Sequence, residues 1–169
     1  LSPNPFGSDT LFEYNCTNFL GFLNRVLENY ITNVYNATRS RADTGDAPPY
    51  SPDKLDYEYM VTASWFTKTT KGKYAHEHDH NGSDISGVYY LQTNGHDGNL
   101  VLTNPLRMLS NNFIMFMTCC RDRKVGLEQG RLVLWPSFIK HRTETNTTDD
   151  DRISISFNIK ITASNQQPL

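Results

Sequence analysis

The sequence predicts a mainly β fold, a sandwich or jelly roll, with one long helix ahead of it. Three observations carry this reading. From about residue 58 onward, short runs rich in Val, Ile, Phe, Tyr and Thr alternate with Gly, Asn and Asp punctuation. Such runs fall near 59–69, 73–79, 85–92, 99–103, 112–118, 131–135 and 152–161, with little helical patterning among them. That order argues against a parallel α/β sheet. Before them, Phe19, Leu20, Leu23, Val26, Leu27, Tyr30, Ile31 and Val34 keep the three-and-four spacing of one helical face.

The helix is expected over 17–37, with Thr17 as its N-cap and its apolar face packed on one sheet of the β core. Residues 43–56 then read as a loop, because Pro48, Pro49 and Pro52 interrupt any regular pattern. The whole chain, 1–169, reads as a single domain: a helical part over about 10–42, a loop over 43–57 and a β core over about 58–162.

Composition excludes several classes. With 37% hydrophobic and 12% aromatic residues the chain is too rich in core-forming side chains for disorder. A formal net charge of -2 leaves no domain-wide basic footprint for nucleic acid. There is no apolar run long enough for a membrane-spanning helix. The start, LSPNPFGSDT, lacks the basic and apolar regions of a signal peptide, and its missing Met reads as a trimmed or processed piece. Three cysteines, Cys16, Cys119 and Cys120, cannot build a disulfide framework, which points to a reducing, cytoplasmic compartment. The sequons at Asn15, Asn36, Asn81 and Asn146 read as chance in an Asn-rich chain.

Three of the five histidines, His76, His78 and His80, fall within one five-residue window. On a strand, residues two apart point the same way, so two of these imidazoles can converge on one ion. Imidazole suits iron, zinc, copper and nickel alike. A solvated polar loop is the rival reading of the window. A second half of a site is expected far along the chain, and Gly130–His141 offers it: alternating apolar residues run into a Pro turn, and His141 follows. The next run alternates strictly. Arg152, Ser154, Ser156 and Asn158 share one face, and Ile153, Ile155, Phe157 and Ile159 the other. An Arg beside Ser on an inner polar face suits bidentate capture of a carboxylate.

Three blocks together resemble the iron(II)/2-oxoglutarate-dependent oxygenases. They are His78-Asp79-His80 running into the SGVYYL strand, Gly130-Arg131-LVLWPS leading to His141, and Arg152-ISISF-Asn158. The set is similar to a prolyl-hydroxylase-like group of bacteria and marine bacteriophages, over roughly residues 62–160. The resemblance implies a double-stranded β-helix, a cupin-like jelly roll with iron(II) near its open end. It implies His78, His80 and His141 as metal ligands. Arg152 with Ser154 maps onto the Arg-x-Ser pattern that holds the distal carboxylate of 2-oxoglutarate, and Tyr90 onto a tyrosine supporting that carboxylate.

The middle ligand position is His80 where the superfamily has Asp or Glu, which leaves the metal with one negative charge fewer. Asp79 or Asp84 as a substituted ligand ranks second, and His76 with His78 as the near pair third. The implied reaction couples oxidative decarboxylation of 2-oxoglutarate by O2, giving succinate and CO2, to hydroxylation of a C–H bond in a protein, peptide or small molecule. Homo-oligomers stay open. Two other readings do so too: a phage structural or binding module, associated with the virion and without turnover, and a three-histidine cupin-type enzyme that does not use 2-oxoglutarate. Trp65 and Trp135 read as core or rim aromatics, His96 as an exposed turn residue, and the Cys119–Cys120 pair as packing.

Overall fold

The computed structural model describes residues 17–41, 57–109, 113, 117 and 121–163. Among these, Tyr59–Ile161 form one compact unit, and the helix belongs to a second. The helix, α1, runs Thr17–Arg41. Leu23 and Leu27, four residues apart on the expected face, are almost fully buried, whereas Val34 at the far end of the stripe is half exposed. The side chain of Thr17 lies outside the described residues, as does the expected loop over 43–56.

Among the described residues seven strands follow: β1 (Tyr57–Thr69), β2 (Ile85–Gln92), β3 (Leu100–Leu102), β4 (Arg123–Val125), β5 (Leu132–Pro136), β6 (His141–Thr143) and β7 (Arg152–Ala163). They form a four-stranded sheet in the order β1-β7-β2-β5 and a three-stranded sheet in the order β4-β3-β6. The pairings of β2 with β5 and β7, and of β3 with β4 and β6, are all antiparallel. Sequential neighbours are rarely hydrogen-bonded neighbours, which is the crossover pattern of a jelly roll.

Register decides what faces the interior. On β2, Ser86, Val88 and Tyr90 stand opposite Asn158, Ser156 and Ser154 of β7. Side chains alternate along a strand, so these six share one face with Arg152. That face looks between the two sheets, where Val88, Tyr90 and Trp135 of the larger sheet pack with Leu100 of the smaller one and with Leu127. The other face of β2 and β7 is apolar. Phe157 and Ile159 there are fully buried. Gly87 lies under the Phe157 ring and beside Leu134; a Cβ at this position would overlap both side chains. Glycine is required here by close approach, not by its backbone angles.

Two expected strands differ from what is observed. Residues 73–79 are not a strand. The segment is irregular, and only His78 makes an isolated bridge, to His141. Of the expected strand at 112–118 only Phe113 and Met117 are described, and both are helical. Phe, Ile and Met content does not separate strand from helix over so short a run. Strands β4 and β6 have three residues each, too few to show a period of two.

Candidate metal centre

The residues 78–84 cross from one sheet to the other at one end of the barrel. His78 N–H donates to the His141 carbonyl at 3.0 Å, and His141 N–H to the His78 carbonyl at 2.8 Å. His80 N–H donates to the Ser137 carbonyl at 3.1 Å, and Asp84 N–H to that of Ile159 at 2.8 Å. This backbone anchoring does what a regular strand was expected to do. It turns His78 and His80 toward the same point as His141, the first residue of β6. The salt bridge between Glu77 and Arg142, 3.3 Å, joins the residues next to His78 and His141, and Arg142 also pairs with Asp122 at 3.2 Å.

One ligand atom from each of His78, His80 and His141 lies within 4.8 Å of the others. Ring centroids are 4.3 Å apart for His78 and His141, and 5.0 Å and 5.1 Å for the pairs with His80. His78 Nδ1 is 2.7 Å from the His76 carbonyl, and His141 Nδ1 is 3.3 Å from that of Ile139. A carbonyl can only accept, so each Nδ1 carries the proton and each Nε2 keeps its lone pair for a metal. Burial and the neighbouring His78 lower the pKa of His80, and push that of His141 down to about 4. The donor set is three imidazoles, which fits a divalent transition metal with coordination positions left over.

The other candidate ligands are used elsewhere. Asp84 pairs with Lys160 Nζ at 3.1 Å and accepts from Ile161 N–H at 2.7 Å. Asp79 accepts from Asn81 N–H at 3.3 Å. His76 is exposed, with its ring against Tyr74 at 4.7 Å. Neither aspartate joins the three-histidine group among the described residues. His96 is exposed in its turn, as expected, and Cys16, Cys119 and Cys120 lie outside the described residues.

A cavity of about 100 Å³ runs from the three histidines along the inner face. Arg152, Ser154 and Tyr90 line it together with Trp65, Trp135 and Asn158. Arg152 is 3% exposed. Its Nη1 donates to the carbonyls of Asp97 and Gly98, both at 2.7 Å. No carboxylate lies within salt-bridge distance of it among the described residues, although the buried Asp97 side chain acts on it electrostatically, and its Nη2 and Nε make no hydrogen bond there. The Gly98 turn comes so close to the Glu144 backbone that a Cβ would collide with it. Tyr90 is 2% exposed, and burial pushes its pKa up to about 12, so it stays a hydroxyl. Tyr90 and Ser154 are direct cross-strand partners.

Sequence reading gave no role to several buried polar groups beside the histidines. Ser86 Oγ lies 2.8 Å from Ser137 Oγ and donates to Asn158 Oδ1 at 2.9 Å. Alternation along the strand predicts the face that Asn158 occupies, but Ser137 sits in a turn, where no period operates. Asn146, one of the sequons, is fully buried. Its amide donates to the Thr69 and Asp150 carbonyls, so it anchors the loop that leads into Arg152.

The depressed His141 pKa has a consequence for stability. The unfolded chain takes up a proton near pH 6.5, while the folded one resists until about pH 4. Between these values the unfolded state binds more protons, so stability rises with pH. The metal-free protein is expected to lose stability on acidification from pH 6.5 to 4, by on the order of 2–3 kcal/mol from this residue. Urea midpoints across that range check it. His141→Gln should flatten the dependence, and an equal slope in both proteins would refute the assignment.

Residues 63–158 match the model of the family described as "Putative 2OG-Fe(II) oxygenase". No curated protein matches the chain in sequence. Among solved structures it is similar to a 2OG-Fe(II) oxygenase family oxidoreductase from Burkholderia pseudomallei, with a TM-score of 0.50 and 13% identity, covering 61% of this chain and 45% of that one. It is also similar to a prolyl-4-hydroxylase from Pseudomonas putida, at TM-score 0.43 and 17% identity over 57% and 50% of the two chains. HygX from Streptomyces hygroscopicus, solved with nickel and 2-oxoglutarate bound, gives TM-score 0.47 and 14% identity over 72% and 64%. The chain thus spans less than two thirds of the length of each of these three structures. The family match covers more than half of the 169 residues, and the chain belongs to the 2-oxoglutarate/iron(II) oxygenase family.

Proposed function

We propose that the protein is an iron(II)- and 2-oxoglutarate-dependent oxygenase that hydroxylates a C–H bond of a protein, peptide or small-molecule substrate. One observation carries this reading. A single cavity has three converging imidazoles at one end, and a buried arginine without a carboxylate partner further along the same inner face. A structural metal site has no use for that arginine. A dicarboxylate spanning the cavity satisfies both.

In this reading His78, His80 and His141 hold iron(II). Arg152, with Ser154 and Tyr90, holds the distal carboxylate of 2-oxoglutarate. When bound, iron(II) and 2-oxoglutarate supply O2 activation coupled to decarboxylation, with succinate and CO2 as co-products. The chain does the rest. The Asp97 and Gly98 carbonyls fix the Arg152 fork, and a charge-assisted pair in a site closed to bulk water is stronger than one on the surface. Tyr90, kept protonated, donates rather than repels. With no carboxylate among the ligands, only the chelating-end carboxylate of the co-substrate would offset the metal's charge, the distal one being paired with Arg152. Trp65, its ring 5.6 Å from that of His80, stands at the metal end of the cavity, where a substrate C–H bond would have to approach. The odd cysteine count supports a reducing, cytoplasmic setting; among the described residues no helix is long and apolar enough to cross a membrane.

The all-histidine ligand set also favours a second reading, a three-histidine metal enzyme that does not use 2-oxoglutarate. Anaerobic titration with iron(II) and then 2-oxoglutarate separates the two. A metal-to-ligand charge-transfer band in the visible is expected only if both bind at one centre. Metal binding without the band, and without 2-oxoglutarate affinity, would leave the second reading standing.

A further inference from the structure

The metal end of the cavity carries polar groups that the ligand and arginine assignments do not use. β2 brings Ser86 opposite Trp135 of β5 on one side and opposite Asn158 of β7 on the other. The three form one row across the sheet, with the small residue between the two large ones. Trp135 is 4% exposed, and its ring centroid lies 4.8 Å from that of His141. Its Nε1 is a buried side-chain donor with no hydrogen-bond partner, the only such atom among the described residues. An indole N–H can only donate. Native interiors rarely leave such a group unpaired, because its lost hydration is not repaid.

Asn158 is 8% exposed. Its Oδ1 accepts from Ser86, whose hydroxyl is linked in turn to Ser137. With Oδ1 occupied, Nδ2 is the group left over, and it has no partner among the described residues. Both Trp135 and Asn158 line the cavity that also holds the histidines. The row therefore carries two N–H groups without a protein partner, on residues that line one cavity with a metal set that contributes no negative charge.

We propose that Trp135 Nε1 and Asn158 Nδ2 form a second anion-holding pair, which receives the carboxylate of the co-substrate at its metal-chelating end. This rests on the 2-oxoglutarate reading above and deepens it. Arg152 then selects for the distal carboxylate, while the Trp135–Asn158 row serves any 2-oxo acid. Ser86 and Ser137 are positioning residues: they set the Asn158 amide and do not touch the ligand.

The test is anaerobic calorimetry on the full chain loaded with Mn(II), with two probes. One is 2-oxoglutarate. The other is 2-oxobutyrate, which keeps the chelating end and lacks the distal carboxylate. Trp135→Phe keeps the ring and removes the donor. Asn158→Asp keeps the shape and turns the donor into a repelling anion. Each variant is expected to weaken both probes by a similar factor, about tenfold or more for a charge-assisted hydrogen bond. In Trp135→Phe, Mn(II) affinity should stay unchanged. Arg152→Lys should weaken 2-oxoglutarate alone. If both variants bind the probes as wild type does, the pair is not a ligand site and the proposal falls. Losses confined to 2-oxoglutarate would equally overturn it, since they would place the pair at the distal end. If Mn(II)-loaded wild type binds neither probe, the co-substrate reading itself fails and takes the pair with it.

Discussion

His141→Ala is expected to abolish iron(II) binding. His141 is the most buried of the three ligands, at 6% exposure, and it meets both other rings. Its backbone pairs with His78 in both directions, so it also sets the register of the segment carrying the other two. Changes to residues that merely support ligands already cost about 10–100-fold in metal affinity. Loss of a ligand from a three-donor set should exceed that range. Anaerobic iron titration, with near-ultraviolet circular dichroism to check the fold, measures it. Iron affinity equal to wild type would refute the assigned ligand set.

Arg152→Ala is expected to leave iron bound and to weaken 2-oxoglutarate by more than about 30-fold, as truncation of one side of a buried charge pair costs about 2–5 kcal/mol. The Asp97 and Gly98 carbonyls also lose their donor, a cost to stability and not to binding, because the free and bound variants share it. Arg152→Lys separates the contributions. It keeps the charge and loses the planar fork, so an intermediate affinity is expected. Calorimetry with 2-oxoglutarate against Mn(II)-loaded protein reads both variants. Undiminished affinity in Arg152→Ala would show that the co-substrate is held elsewhere.

These two predictions differ in how much of their basis was visible in the sequence. Arg152 lies on a strand with strict alternation, so its company with Ser154, Ser156 and Asn158 follows from the period of two alone. The long β2 and β7 and the helix were legible for the same reason: each is long enough to repeat its pattern several times. Strands β4 and β6 were not, because three residues hold no period. The segment 73–79 misled because its composition is β-like, while its backbone bonds at Lys73, Ala75 and His78 are scattered and build no continuous ladder.

The histidine pair was readable as a cluster, but not as a site. Spacing brought His78 and His80 together and left Asp79, Asp84 and His76 as rivals. Lys160 and the Ile161 amide engage Asp84 from across the fold, whereas Asp79 and His76 stand outside the three-histidine group in contacts with Asn81 and Tyr74, each only two residues away. The sequence by itself determined the fold class, the inner polar strand and the residue types able to bind metal and carboxylate, because these rest on local periodicity and side-chain chemistry. Only the tertiary structure decided which donors converge, which are consumed by other partners, and that Trp135 carries an unpaired N–H beside the histidines. Those properties depend on contacts between residues tens of positions apart, and no local pattern encodes them.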